Sequence, residues 1–362
     1  MTEQYRPVPK ELEKKPQQRD YTRASDVVQA IERLVAGLKE DGDEYRMFEL
    51  LGSVVKEDPD VLMPVICGSI DLAQRKLAQS RKDGSSATLL YPIDAAIRVT
   101  AQRKMLLETN PLSAGSWNVQ KVLDVLRLYP AEVIELAGSN TTSKNLPQRA
   151  AHLLWLLDQC PLVQQEQSLT FLEIGASGGL ILDALQQPTQ FKQWMQSSGY
   201  RSDFGLKSDP SRSNRTYGID LVKPELDWLQ AIILEDELRR ETTEFIEKFS
   251  RSQVSVESAT NLSGSESVAN FLAESAGSLP VVFSCFVFYQ LDAAVREDVT
   301  NQARAVLKKQ GGGLLIVSDI AKYRGFPDKS GGCVSWVEDQ DGRRVSPRIL
   351  LSKSTLTEWE EV

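Results

Sequence analysis

The first 145 residues carry hydrophobic positions at helical spacing. Apolar side chains recur every three or four residues after Ser25, and Gly42 follows this run, which predicts an amphipathic helix. The same period predicts further helices over 45–55, 59–77, 93–107 and 119–136. Because no alternating strand pattern interrupts them, we expect an all-helical domain over 23–145. The polar lead-in over 1–22 is predicted to be disordered.

The pattern changes in the second half, over 146–362. After a further predicted helix over 149–157, short apolar runs alternate with helical stretches and predict strands over 169–174, 216–221, 254–257, 280–287 and 313–319. Such alternation is typical of a mostly parallel sheet. Asp341-Gly342 lies between apolar runs and predicts a closing antiparallel hairpin. The predicted fold class is therefore α/β, with a mostly parallel sheet and a C-terminal hairpin.

The segment 186–215 interrupts this alternation. It is polar, contains aromatic residues, and is predicted to be irregular. Two interpretations stay open: a lid or substrate loop over the site, or a solvated surface insertion.

Composition excludes several classes of protein. Hydrophobic residues make up 41% and charged residues 25% of the chain, and no apolar run approaches the roughly 18 residues of a membrane span. The first residues contain no apolar signal segment, so we expect a cytoplasmic protein without a membrane partner. The net charge of −8, without a basic run, argues against a nucleic-acid partner.

The cysteines and the single histidine offer little chemistry. The four cysteines are far apart in the chain, so neither a disulfide framework nor a metal site is expected. His152 lies in an apolar helical run, which favours a core histidine over a general base.

The stretch from Glu173 to Gly179 is the most informative motif. A buried strand that turns through glycines into a helix lets a nucleotide-like ligand approach backbone N–H groups. The dinucleotide pattern G-x-G-x-x-G from Gly175 fails, because Ser177 and Leu180 replace two of its glycines, so NAD is disfavoured. The stretch resembles acid-x-G-x-G-x-G of class I S-adenosylmethionine-dependent methyltransferases, with Ser177 in place of the middle glycine. The alternative is a glycine-rich turn without a ligand.

Two further strand ends extend the candidate site. Asp220 closes the second strand, where these methyltransferases bind the ribose hydroxyls. It follows Glu173 by far more than the usual separation of about 20 residues, so either an insertion intervenes or Asp220 has another role. The run from Ser284 to Tyr289 follows the fourth strand and would face the transferred methyl group. Tyr289 is either a substrate-orienting residue, and so a weak catalytic candidate, or a packed aromatic.

The order of these motifs resembles a bacterial family of unknown function that is related to class I methyltransferases. The matching positions, in chain order, are Asn145, Arg149, Glu173, Gly175, Ala176, Ser177, Gly179, Leu180, Arg215, Gly218, Ile219, Asp220, Pro224, Trp228, Leu229, Ala231, Arg240, Tyr289 and Arg296. The chain departs from the family pattern at Leu146, Gln148, Ile181, Leu234 and Glu235, and Ser258 stands where an acid is expected near the third strand.

The resemblance implies a Rossmann-like fold and S-adenosylmethionine-dependent methyl transfer to a small molecule. It implies a cofactor site formed by Glu173, Gly175, Ala176, Ser177, Gly178, Gly179, Asp220 and Ser284. It implies a substrate side formed by Asn145, Arg149, Arg215, Tyr289 and Arg296. The alternative is a non-catalytic binding or scaffold protein that retains the fold, since fold does not imply function.

Overall fold

The structure is a computed structural model that describes most of the chain. The described residues are 24–36, 38, 42–77, 87–107, 109–140, 146–163, 168–204, 214–220, 223–249, 254–257, 262–285, 293–320, 333–351 and 359–362. The predicted lead-in over 1–22 lies outside them. Within the described part, no helix combines the length and the apolar character needed to cross a membrane.

The N-terminal part is helical, as predicted. Its helices are α1 (Ala24–Val35), α2 (Asp43–Glu57), α3 (Pro59–Leu77), α4 (Ala87–Arg103), α5 (Val119–Leu128) and α6 (Pro130–Ser139). Asn118 caps α5, because its side chain accepts a hydrogen bond from the backbone N–H of Lys121 at 2.9 Å. The prediction of one helix over 119–136 is wrong. Pro130 has no backbone N–H for a helix interior, so one helix ends at Leu128 and the next starts at Pro130.

The core of these helices is completed by a segment from the second half of the chain. Phe48 and Leu51 of α2 are fully buried in the same apolar cluster as Trp228 and Ile233. Trp228 belongs to the short helix α10 (Leu226–Ala231), and Ile233 follows it. The helical part and the α/β part therefore share a hydrophobic core.

Two buried arginines also join the two parts. Arg98 of α4 pairs with Asp94 at 2.6 Å and donates to the carbonyl oxygens of Leu112 and Ala231. Arg239, in the helix α11 (Asp236–Phe249), donates to the same Leu112 carbonyl at 2.8 Å. Burying a guanidinium is costly unless its N–H groups are paired, so these contacts hold the chain segments in one arrangement.

The second half forms an eight-stranded sheet. Its strands are β1 (Leu169–Ile174), β2 (Arg215–Asp220), β3 (Val254–Val256), β4 (Leu279–Phe283), β5 (Leu314–Ile320), β6 (Cys333–Asp339), β7 (Ile349–Leu351) and β8 (Trp359–Glu361). The order is β3-β2-β1-β4-β5-β6-β7-β8, with β1 to β5 parallel and β6 to β8 antiparallel. The predicted mixed α/β fold and parallel strands are confirmed, whereas β8 was not predicted.

Helices cover both faces of the sheet. Phe171 of β1 belongs to a buried cluster with α7 (Ala150–Gln159), α8 (Leu180–Gln186), α9 (Pro188–Ser197) and α11. Leu172, the next residue, belongs to the cluster on the opposite face with α12 (Glu266–Glu274) and α13 (Ala293–Lys309). Because successive strand residues point to opposite faces, an uninterrupted apolar strand is what a sheet between two helical layers requires.

The predicted closing hairpin is confirmed. β6 pairs with β7 in antiparallel register, with Val334 opposite Leu350. At its tip, the N–H of Gly342 donates to the carbonyl of Asp339 at 3.0 Å, and Gly342 has a φ of 79°. Glycine reaches this left-handed conformation without a steric penalty, which explains the Asp-Gly signal.

The prediction of an irregular segment over 186–215 is wrong for its first part. Residues 188–197 form α9, whose Phe191 and Trp194 are buried against Phe245 of α11. Phe204 is buried in the same cluster. The rings of Phe191 and Phe204 stack with their centroids 5.8 Å apart. The aromatic side chains therefore fold this part onto the sheet layer, while 205–213 lie outside the described residues.

Candidate functional site

The strand order reverses between β1 and β4. The helix after β1, α8, packs on one face of the sheet, and the described helix that follows β4, α13, packs on the other. In open α/β sheets, ligands bind at such a reversal, outside the carboxyl ends of the strands. Glu173 and Phe283 pair at this end of β1 and β4. The candidate site is therefore centred on Glu173 and the loop that follows it.

The glycine loop is held against β2. The N–H groups of Gly175 and Ala176 both donate to the carbonyl of Ile219, at 2.8 and 3.1 Å. Gly175 and Gly179 have φ angles of 83° and 78°, which glycine adopts without steric cost. Gly178 packs against α10, where an added Cβ would lie 2.4 Å from a leucine methyl group. Backbone conformation and close packing thus both require these glycines.

Ser177 occupies the position of the motif's middle glycine and has a left-handed backbone conformation. Its φ is 49°, in the left-handed region that costs a non-glycine residue about 1–2 kcal/mol. The Oδ2 atom of Asp220 accepts a hydrogen bond from the Ser177 N–H at 2.7 Å. Asp220 therefore supports the loop directly, a contact that the ribose-binding hypothesis did not include.

Glu173 is a buried carboxyl at the centre of the site. Its side chain is 1% exposed, and its Oε2 atom has no hydrogen-bond partner among the described residues. Burial raises its pKa well above the ordinary value of 4.5; the charge of Asp220 raises it further, Arg149 lowers it, and Asp183 raises it. A buried polar oxygen without a partner is costly, so the site is suited to a ligand group that pairs with Glu173.

Two hydroxyl groups share this property. The Oγ atoms of Ser177, in the loop, and of Ser284, directly after β4, are buried and have no hydrogen-bond partner within the described part of the chain. Cys285 follows Ser284 and is also buried as a free thiol, and its burial raises its pKa well above the ordinary value. The ends of two adjacent strands thus present two hydroxyls and a carboxyl oxygen available for a polar ligand.

Arg149, which the resemblance assigned to the substrate side, acts electrostatically on this site. It ends the 3₁₀ turn Pro147–Arg149 before α7, and its positive charge acts on Glu173 and Cys285. His152 of α7 is fully buried, and its pKa is lowered to about 3 by burial and by the charge of Arg149. A neutral histidine at this depth agrees with the interpretation of His152 as a core residue.

Asp183 is a site residue that the sequence reasoning missed. It lies in the first turn of α8, is completely buried, and acts electrostatically on Glu173. An acid inside the apolar run 180–185 was the signal available in the sequence. Among the described residues, no group of three or more His, Cys, Asp or Glu side chains is arranged to hold a metal ion.

Other predicted residues lie elsewhere. Arg215 is the first residue of β2, so it lies at the end of the sheet opposite the candidate site. It is exposed and donates to the Glu274 carbonyl at 2.7 Å. Its predicted placement on the substrate side is therefore wrong. The carboxyl ends of parallel strands share one edge, and Arg215 stands at an amino end. Arg296 lies in the first turn of α13, half-buried. Asn145 and Tyr289 lie outside the described residues.

The neighbouring residues Arg239 and Arg240 of α11 differ in burial. Arg240, which the resemblance matched to a family arginine, is exposed and pairs with Glu237 at 3.8 Å. Arg239 is the buried one. The side chain of Arg240 therefore points to solvent, whereas that of Arg239 points into the core.

The family model covers this whole site. Residues 95–345 match the model of a family described as an uncharacterized protein conserved in bacteria (DUF2332), which is more than half of the chain. The chain belongs to the DUF2332 family. No curated protein and no solved structure matches the chain at a significant level. The predicted resemblance to a bacterial family of unknown function is thereby confirmed.

The DUF2332 match includes the candidate site but leaves out both ends of the chain. It begins inside α4 and ends before β7, so it includes the residues from Arg149 to Arg296 and the buried Arg98. Helices α1 to α3 and strands β7 and β8 lie outside the matched residues. The matched part therefore contains the candidate site, strands β1 to β6, helices α5 to α13 and part of α4.

The residue directly after the third strand is an acid, Glu257. Its carboxylate accepts hydrogen bonds from the N–H and the hydroxyl of Ser267, at 3.2 and 2.9 Å. Burial acts to raise its pKa, but hydrogen bonds from Ser265 and Ser267 outweigh that effect and lower it. Ser258 lies outside the described residues. Glu257 therefore stabilises the first turn of α12.

Proposed function

We propose that this chain is an S-adenosylmethionine-dependent methyltransferase that acts on a small molecule. One observation carries the proposal. At the reversal of strand order, the buried carboxyl of Glu173 has an unpartnered oxygen and directly precedes the glycine loop from Gly175 to Gly179. This is the position at which open α/β sheets bind nucleotide-like ligands.

The sheet order supports the finer fold assignment. Parallel strands in the order β3-β2-β1-β4-β5, closed by antiparallel strands, are consistent with a Rossmann-like fold of the methyltransferase type. The chemistry of the site residues is also compatible with this cofactor. Glu173 is an acceptor for its ammonium group, and the hydroxyls of Ser177 and Ser284 suit its carboxylate or nucleoside hydroxyls. Asp220 contributes through the loop, whose Ser177 N–H it binds.

The reaction would make modest demands on the protein. When bound, the cofactor supplies an electrophilic methyl group on a positively charged sulfur. Attack requires an acceptor held in line with that methyl group at about 3 Å, so positioning supplies much of the acceleration without an obligatory base. Glu173, Ser284 and Cys285 are each at most 3% exposed, so these groups are shielded from bulk water.

The acceptor side is proposed from charge and position. Arg149 acts on Glu173 from the turn before α7, and Arg296 lies at the start of the helix that follows β4. Two arginines near the edge of the sheet favour a small anionic acceptor. The net charge of −8 argues against a nucleic acid in this role. Asn145 and Tyr289 stay proposed members of this side.

Calorimetric titration with S-adenosylmethionine and S-adenosylhomocysteine, with NAD as a control ligand, tests the proposal. We expect micromolar binding of the first two ligands and none of NAD. Gly175→Val should abolish binding, because a branched side chain is strained at a φ of 83° and blocks the loop. Gly277→Val is the matched control, since Gly277 has a φ of 80° but lies in open space before the amino end of β4. Absence of binding to the folded wild type would refute the proposal.

One observation favours a second candidate function, a non-catalytic binding module. Asp220 and Glu257, the acids at the ends of β2 and β3, both accept hydrogen bonds from protein groups. A site in which these acids support the loop and α12 has fewer groups for a nucleoside. Binding of S-adenosylhomocysteine without methyl transfer to any acceptor in a screen of small anionic molecules would favour this second function.

A further inference from the structure

Charged and titratable groups on neighbouring elements act electrostatically on Glu173. Asp220 at the end of β2 and Asp183 in α8 are its acidic neighbours, and Arg149 before α7 is its basic neighbour. The thiol of Cys285, after β4, interacts with it from the adjacent strand end. Three carboxyl groups and a thiol thus share a site with one guanidinium, which leaves an excess of acidic groups.

Three buried oxygens of the site can accept hydrogen bonds from a ligand. Glu173 Oε2, Ser177 Oγ and Ser284 Oγ belong to side chains that are at most 2% exposed, and none has a hydrogen-bond partner among the described residues. An ionised carboxylate in such a place loses its hydration without a compensating contact. The neutral form of Glu173 is favoured until a positive group binds beside it.

We propose that Glu173 holds a proton in the free protein and releases it when a positively charged group binds, so that the site selects cationic ligands and binds them with proton release. This inference rests on the proposed function for the identity of the ligand, whose ammonium group supplies the charge. The proton moves from the Glu173 carboxyl to the buffer, and the resulting carboxylate pairs with the cation.

The same burial that disfavours the free carboxylate makes its pairing selective. A neutral ligand of the same shape leaves Glu173 protonated and gains no ion pair. In the pH range where the free carboxyl is protonated and the bound one is ionised, the affinity for a cation rises up to tenfold per pH unit. Burial as the main cause of the raised pKa agrees with this direction.

Calorimetry in two buffers measures the released proton. Wild-type protein is titrated with S-adenosylmethionine, S-adenosylhomocysteine and 5′-methylthioadenosine, in phosphate and in Tris at the same pH. The first two ligands carry the ammonium group, and the third is a neutral nucleoside thioether without it. We expect release of up to one proton for the first two and none for the third. Glu173→Gln should abolish the release.

Glu257→Gln is the matched control. Glu257 lies at the same edge of the sheet, but its carboxylate already accepts hydrogen bonds from Ser267, so its substitution should leave the proton release unchanged. Tight binding of S-adenosylmethionine with equal enthalpies in both buffers would overturn the inference while the methyltransferase proposal stands. Equal proton release by Glu173→Gln would overturn it as well.

A second measurement decides the inference if no nucleoside binds, which would refute the proposed function separately. A carboxyl with a raised native pKa makes the folded protein lose stability as the pH rises above the ordinary value of 4.5. We therefore measure the unfolding equilibrium constants of wild type and Glu173→Gln at pH 5 and at pH 8. Between these pH values, the stability of the variant relative to wild type should increase by up to tenfold in the unfolding constant per pH unit. An unchanged difference between the two pH values would overturn the inference.

Discussion

His152 offers a direct test of the electrostatics at the centre of this fold, because it is the single histidine in the chain. It is fully buried in α7, and its pKa falls from 6.5 to about 3. Burial is the main cause, and the positive charge of Arg149 adds to it. Between these two pH values, the unfolded chain binds a proton on this imidazole and the folded chain does not.

The size of the effect follows from proton linkage. A folded pKa below the unfolded one means that stability is lost as the pH falls, at about 1.4 kcal/mol per unit. From pH 6.5 to pH 5 the loss is about 2 kcal/mol, and the full difference down to pH 3 approaches about 5 kcal/mol. Glu173 acts in the opposite direction, because its raised pKa adds stability as the pH falls toward 4.5. The wild-type curve is therefore a sum of two opposing slopes.

Comparison with His152→Gln separates them. Glutamine keeps a polar side chain at this position and does not titrate, while Glu173 contributes equally to both proteins. The difference in free energy of unfolding between the variant and wild type should therefore shift by about 2 kcal/mol in favour of the variant from pH 7 to pH 5. Urea unfolding followed by tryptophan fluorescence measures this difference. In the folded wild type, the ring signal of ¹³C-labelled histidine should not titrate between pH 5 and pH 8.

Two results would refute the reasoning. A histidine signal that titrates with a midpoint near 6.5 would show that the imidazole of the folded protein is hydrated. A difference in unfolding free energy that stays constant from pH 8 to pH 5 would show that His152 binds protons equally in both states. Either result would remove the argument that burial controls the charges beside Glu173.

Three stability predictions follow from single contacts and are checked by urea unfolding. Arg98→Met should destabilise the protein by about 3–5 kcal/mol, because Asp94 is left as an uncompensated buried acid. Replacing both residues by apolar ones should recover part of this loss. An equal loss in the double variant would contradict the prediction. Ser177→Gly should stabilise by up to about 1 kcal/mol by relieving its left-handed conformation, and a net loss would argue against strain there. Gly218→Ala should cost about 1–3 kcal/mol, since its Cβ would lie 2.7 Å from that of Ala176; an unchanged stability would show that the loop yields.

Local sequence patterns predicted most helices and strands, because the formation of these elements depends largely on residues that are close in the chain. The helical period located α1 to α3 and α5, and the apolar runs located β1 to β5 to within a few residues. The prediction was wrong at Pro130, which lacks the N–H of a helix interior, and over 188–197, which form α9. There, aromatic side chains in a polar segment became core residues by packing against Phe245, which is distant in the sequence.

The candidate site divides in the same way. Glu173, Gly175, Ser177 and Gly179 were found from the sequence, because a strand, a glycine turn and a helix leave a readable spacing. Arg149 was found only through a resemblance to family motifs. Arg215 was wrongly placed, since its position in β2 puts it at the other edge of the sheet.

The sequence by itself determined the α/β fold, the closing hairpin and the glycine loop, because hydrophobic period and turn residues act locally. Only the tertiary structure decided which charged groups meet at the carboxyl ends of the strands. Asp183 and Asp220 act on Glu173 because α8 and β2 bring them to it, and Arg239 rather than Arg240 is buried because of the direction in which α11 packs. Burial and charge proximity depend on contacts between distant segments, and the protonation of Glu173 depends on both.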